Sequence, residues 1–203
     1  PIADMLSSYL ALSGVLMALN RRHTTGKGDF VDISMFESVL AASPNIMGPV
    51  FGGDKAPERL QERTHGGNAM LNIYETGDGQ YLALGGGEHK FVEALFNGLG
   101  RPEFIADVTG PAGEGHWKAI AYLRETFRTR SRSDWESWFD NRDICWSPVV
   151  SLHEAWQSEH VLDRGMRFTD DEGNDHIGSA IKFAAEPAEI STRLPEIGEQ
   201  LSL

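Results

Sequence analysis

Apolar residues crowd the chain from Met5 to Leu19, and their spacing predicts one helix from Asp4 to Arg22. Because apolar side chains nearly surround it, that helix is expected to be buried on most sides. Asp4 stands where an N-cap or first-turn acid belongs. Arg21, Arg22 and His23 stand where cations suit the helix dipole. Thr25 to Gly28 reads as a turn. Phe30 to Met47 is largely apolar and predicts a strand or extended entry followed by a helix that ends before Pro49. Gly48 to Gly67, rich in glycine, proline and charge, reads as a loop or linker.

The period then changes. Asn72 to Thr76 and Gln80 to Leu84 alternate around Gly77-Asp78-Gly79, which is a hairpin signal because Asp-Gly supplies the positive φ of a tight turn. Gly85-Gly86-Gly87 leads into a helix over Glu88 to Leu99, stopped by Gly100-Arg101-Pro102. Helices are predicted over His116 to Thr129 and Ser133 to Asn141. Ser133 and Glu136 have the spacing of a capping box, and Trp135, Trp138 and Phe139 read as core at helical spacing. Cys145 to Leu152 predicts a short strand through Pro148, and Leu152 to Ser158 a helix of about two turns. Met166 to Leu203 carries no helical period. The segments are 1–67, helical with a linker; 68–142, a small α+β domain; and 143–203, an irregular return segment.

Composition narrows the function classes. A formal charge of -12 argues against nucleic-acid binding, which requires a basic face. The cations cluster at Arg21, Arg22 and Lys27, and again at Arg124, Arg128, Arg130 and Arg132. The second cluster reads as a solvated helix end. A single Cys145 excludes an internal disulfide and fits a reducing cytoplasm. Its neighbours Ile144 and Trp146 suggest an inert core thiol. The Met5 to Leu19 run is shorter than the roughly 20 residues of a membrane span, and there is no signal peptide pattern. Pro1 is not an initiator Met, so a processed or truncated piece is expected.

Candidate chemistry is sparse. A carboxylate at a helix N-terminus stays ionised and can attack or accept a proton, but on local sequence alone Asp4 reads first as a plain N-cap acid. Gly85-Gly86-Gly87 lets backbone approach a ligand, or is a flexible connection. Glu88 is a second acid beside a ligand or a first-turn helix acid, and His89 a base or a surface residue. His65-Gly66-Gly67 is a covering loop or a linker. The histidines show no metal-ligand spacing, and a G-x-S-x-G elbow is missing.

The order of these pieces resembles the class III CoA-transferase family, which includes the α-methylacyl-CoA racemases. The resemblance is carried by Ile2-Ala3-Asp4, by Thr25-Gly26-Lys27-Gly28 with Val31-Asp32-Ile33-Ser34-Met35, and by Tyr74 to Gly85. Glu88-His89-Lys90-Phe91, Gly98 to Pro102, Pro148-Val149 and Val161 to Met166, similar to the family's return strand, extend it. It implies an α/β protein (α+β in this part) whose Rossmann-like half precedes Pro1, in an interlocked homodimer. It also implies Asp4 and Glu88 as catalytic residues. His65, Gly66, Gly67, Gly85, Gly86, Gly87 and His89 would meet substrate, and Arg21 and Lys27 would meet CoA. Acyl-CoA and a carboxylic acid would be the substrates, with no resident cofactor, metal, nucleic acid or membrane.

In a transferase, Asp4 forms an aspartyl–CoA thioester. In a racemase, Asp4 exchanges the α-proton with a histidine partner before Pro1. Glu75 to Phe91 is similar to the racemases, whereas Met5-Leu6-Ser7-Ser8 lacks the glycine-rich step expected of them, so the sequence inclines to transferase. A noncatalytic binding or assembly subunit is the alternative from another class.

Overall fold

The computed structural model describes residues 1–53 and 55–193. The chain divides into two compact units: Pro1–Ala69 with Gly110–Trp117, and Met70–Thr109 with Lys118–Leu203. The last part of the expected return segment, from residue 194 on, lies outside the described residues.

In the first unit, α1 (Ile2–Thr25) runs further than the apolar run alone suggested, and ends where Gly26 turns left-handed at φ 69°. None of its residues is buried among the described residues, so the expected burial on most sides is not met. The reason is what packs on it: α2 (Met35–Ala41) and the extended segment before it lie along one side only. By length and composition α1 could cross a membrane, a test that core helices of soluble proteins also pass.

The second apolar stretch forms two helices, α2 and α3 (Pro44–Gly53), and α3 continues through Pro49. The break falls at Ser43 instead of Pro49. A residue before proline avoids the helical region, and Pro44 suits a first helical position, where its missing N–H is not needed.

In the second unit, β1 (Leu71–Glu75), β2 (Tyr81–Gly85) and β3 (Trp146–Val149) form an antiparallel sheet in that order, with Tyr74 opposite Leu82 and Leu82 opposite Pro148. Alternation turns Tyr74, Leu82 and Leu84 inward. They are buried with residues of α4 (His89–Gly98), α6 (Trp117–Phe127) and α7 (Arg132–Phe139), including Val92, Leu95, Phe96, Leu123, Phe127, Trp135 and Phe139. Phe127 meets the edge of Trp135 at 5.0 Å between centroids, and Phe139 stacks on Trp146 at 4.5 Å. Such pairs add about 0.5–1.5 kcal/mol each beyond burial. Burial raises the Tyr74 phenol far above its ordinary range.

The hairpin closes as its sequence predicts, with Gly79 at φ 74°. Its Asp78 accepts from Thr76 Oγ1 at 2.5 Å and from the Arg132 N–H, and these bonds hold the carboxyl below its usual range. The helix α4 stops with Gly100 at φ 70° and the Arg101 N–H on the Phe96 carbonyl at 2.8 Å. A short α5 (Phe104–Val108) follows, which the sequence pattern had not suggested.

The cap of α7 is Ser131 with Asp134, not Ser133 with Glu136. Ser133 lies inside the first turn, where its hydroxyl cannot reach the orphan N–H groups of that turn as an N-cap does. Three of the four arginines in the second cluster are engaged: Arg128 pairs with Glu75, Arg132 with Glu136 and Glu154, and Arg130 lies over Trp135, while Arg124 is exposed. Beyond β3 come α8 (Leu152–Trp156), α9 (Glu159–Asp163) and a hairpin of β4 (Arg167–Thr169) with β5 (Asp175–Ile177). Val161 to Met166, read as a return strand, is therefore the end of α9 and a turn at Gly165, because Ser158 caps a helix there.

Candidate active site

Asp4 occupies the first turn of α1, beside the N–H groups that no helical carbonyl satisfies. Pro1 holds the N-cap position, so Asp4 acts through the dipole and not as the cap. Ser7 Oγ donates to the Asp4 carbonyl at 3.1 Å. Among the described residues nothing hydrogen-bonds or pairs with the Asp4 carboxylate. It is an exposed anion at the positive end of a long helix, available to attack or to take a proton.

Arg21 and Lys27 lie at the other end of the same helix. At about 1.5 Å per residue, roughly 25 Å of helix separates Asp4 from Arg21. A ligand touching both must be long and extended. Arg21 Nη1 is held on Asp29 Oδ2 at 2.5 Å, in an exposed pair. Lys27 is exposed, with its N–H on Thr25 Oγ1 at 3.3 Å.

His65, Gly66 and Gly67 sit in a tightly tied loop. The Leu60 N–H donates to the His65 carbonyl at 2.9 Å, and the Gly67 N–H to the Glu62 carbonyl at 3.0 Å. Gly66 has φ 85°, and a β-carbon on Gly67 would stand 2.5 Å from the Gln61 carbonyl. Both glycines are thus required by the loop's own packing.

The loop is anchored by a residue the sequence reading passed over. His116, fully buried, accepts the Ala69 N–H on Nδ1 at 3.2 Å. Its Nε2 lies 3.1 Å from the Gly110 carbonyl, so Nε2 carries the proton and donates. Only its place at the head of a predicted helix marked it; the partner Ala69 is remote in sequence.

In the second unit, β2 delivers Gly85-Gly86-Gly87 to the start of α4, with Glu88 as N-cap. The Gly85 N–H donates to the Cys145 carbonyl at 2.9 Å. A β-carbon on Gly86 would stand 2.7 Å from Cys145 Cβ, 2.7 Å from Phe91 Cδ2 and 2.9 Å from Glu88 Oε2. Gly86 is therefore close-packed, and the exposed Glu88 carboxylate folds back over it without making a cap hydrogen bond. A β-carbon on Gly87 would meet nothing within 4 Å, so the backbone there is open to a ligand.

His89 pairs with Glu93 one turn on, at 3.4 Å, and Lys90 with Asp143 at 2.8 Å. Cys145 is exposed, not a core thiol. In the segment leading into β3, Ile144 is buried and its neighbour faces outward. Asp4, Arg21, Lys27, His65, Gly66 and Gly67 thus belong to one unit, and Gly85 to His89 to the other. Among the described residues no group of three or more His, Cys, Asp or Glu is arranged to hold a metal ion.

A sequence model described as CoA-transferase family III matches residues 1–201. The human α-methylacyl-CoA racemase is 28% identical over 201 residues, covering 98% of this chain and 52% of that protein. The mouse succinyl-CoA:glutarate CoA-transferase is 24% identical over 169 residues, 81% of this chain and 38% of that protein. A crystal structure of a CaiB/BaiF family protein from Brucella suis superposes with a TM-score of 0.73 at 21% identity, over 96% of this chain and 52% of that one. The chain spans about half the length of the racemase it matches.

Proposed function

Because this chain belongs to CoA-transferase family III, we propose that it carries part of the active site of an acyl-CoA enzyme that moves CoA between carboxylic acids. The observation that supports this most is Asp4: a carboxylate unengaged among the described residues, at the N-terminal turn of α1, within a family match over residues 1–201.

The chemistry runs through that carboxylate. An Asp4 oxygen attacks the thioester carbonyl carbon of the donor, the carbon–sulfur bond breaks, and CoA leaves as thiolate. The thiolate then attacks the Asp4 carbonyl of the mixed anhydride and releases the donor acid. An acceptor carboxylate attacks the resulting aspartyl–CoA thioester. CoA thiolate leaves again and attacks the acceptor carbonyl of the new anhydride, which frees Asp4. Arg21 and Lys27 suit the CoA phosphates in charge.

The racemase is the second reading. It is supported by the racemase relative's alignment with 98% of this chain, against 81% for the succinyl-CoA:glutarate transferase. There Asp4 would exchange the α-proton of the acyl group.

The test is Asp4→Asn in the intact protein. Loss of CoA transfer by at least about a thousandfold in a folded variant supports the nucleophile. Unchanged transfer removes Asp4 from the mechanism. Deuterium wash-in at the α-carbon by the native protein without CoA transfer, lost in Asp4→Asn, would instead support the racemase.

A further inference from the structure

We infer that the segment Gly110–Trp117 is a releasable latch that limits how freely the two units of this chain move, and that His116 is its catch. The path of the chain points to it. The chain leaves the first unit after Ala69, runs through Met70–Thr109 of the second, returns to the first for Gly110–Trp117, and leaves it again at Lys118. While that return segment is held, the units are joined at Ala69–Met70, at Thr109–Gly110 and at Trp117–Lys118. Once it is released, Ala69–Met70 is the one link that remains, and units joined by a single link move freely.

The bonds that hold the segment lie within the first unit. His116 is fully buried, and its ring spans two of the links. Nδ1 accepts the Ala69 N–H at 3.2 Å, and Nε2 donates to the Gly110 carbonyl at 3.1 Å. The third link follows directly after its neighbour Trp117, whose Nε1 donates to the Leu60 carbonyl at 3.4 Å. Between them, the Gly113 N–H donates to the Gly67 carbonyl at 2.9 Å. Gly113 has φ 110°, which glycine adopts without strain, and a β-carbon there would stand 2.6 Å from Gln61 Oε1. The segment is therefore shaped to lie on the 60–69 loop.

Its hold is also slight. Its regular structure is one 3-10 turn, Glu114–His116. Of its side chains His116 alone is buried, so hydrogen bonds and one ring do the work that an apolar core does elsewhere. Such a piece opens locally at lower cost than the sheet and helices that flank it. A part that is specifically seated, lightly held and placed at two of three links restrains movement when closed and permits it when open.

The test uses the intact protein. His116→Phe keeps a ring in the same space and removes both bonds. A glutamate-specific protease reads the opening at Glu114, which is exposed but held in the turn. Cleavage after Glu114 is expected to be about tenfold faster in the variant, with Glu125 in α6 cut no faster. Spin labels at Thr24 in the first unit and Cys145 in the second report the movement. Their distance distribution should broaden in His116→Phe. Faster cleavage without a broader distribution overturns the inference, because the segment is then a surface loop that restrains nothing. Unchanged cleavage at Glu114 overturns it too. Should His116→Phe not fold, Trp117→Phe at an exposed position removes the donor to Leu60 and is read in the same two ways, with cleavage about twofold faster.

Discussion

Val31 Cγ1 lies 2.7 Å from where a β-carbon on Gly14 would stand. The extended segment before α2 thus seats on α1 at the one position in mid-helix that has no side chain. Gly14 weakens the helix by about 1 kcal/mol relative to alanine, and close packing against the segment offsets this.

Gly14→Ala is therefore expected to destabilise the protein despite its better helix propensity. Overpacking costs up to about 3 kcal/mol, against roughly 1 kcal/mol gained in propensity. Adding Val31→Ala to Gly14→Ala should recover part of the loss, because the methyl that clashes is gone. Urea denaturation of the two variants checks this, and a Gly14→Ala protein more stable than the native one would refute the contact.

The cap of α7 gives a paired comparison. Ser131→Ala should cost about 1 kcal/mol, and Ser133→Ala a few tenths at most. Spacing alone favoured Ser133 with Glu136. The chain instead uses Ser131 with Asp134, whose Oδ2 accepts from Ser131 Oγ at 2.6 Å. Two candidate boxes overlap here, and which serine leads was decided by where the Thr129 to Ser131 turn docks against Gly77 through the Arg130 carbonyl at 2.7 Å. That long-range contact is invisible in a local pattern.

His116→Phe should cost about 1–3 kcal/mol, by removing the acceptor of the Ala69 N–H and the donor to Gly110. Amide hydrogen exchange should quicken at Ala69 and Gly67 before it does in the sheet. Uniform protection would mean the loop is held by other bonds.

Acid stability should depend on Glu154. The Ser151 N–H first, then the Arg132 guanidinium at 2.9 Å, hold its carboxyl down at about 2. Its folded value lies below its unfolded value of about 4.5, so the stability it contributes is complete above that pH. It is lost as pH falls from there toward 2. Asp170, lowered by His176 and the Asn174 N–H, adds a loss of the same sign. Glu154→Gln should flatten the acid limb of a pH-stability curve. An unchanged limb would show that the pair contributes nothing.

Local signals carried much of the fold into view. The hairpin around Asp78-Gly79, the helix closed by Gly100 and the aromatic face of α7 all have short-range causes, and all three are present. The failures are long-range. The apolar girth of α1 predicts burial that the described residues do not provide. The apolar neighbours of Cys145 read it as core, but in the segment leading into β3 it is Ile144 that is buried and Cys145 that is exposed. For the site, Asp4 and Glu88 were legible as acids at helix starts, and only the family resemblance raised them above capping residues. His116 went unseen because its partners Ala69 and Gly110 come together only in the folded chain.

The most direct test is the mass of the Asp4 peptide from the intact protein after treatment with acyl-CoA and then hydroxylamine. A hydroxamate on Asp4, absent without acyl-CoA, is the predicted result and marks the aspartyl–CoA thioester. An unmodified Asp4 in protein that still turns over acyl-CoA would contradict the covalent route.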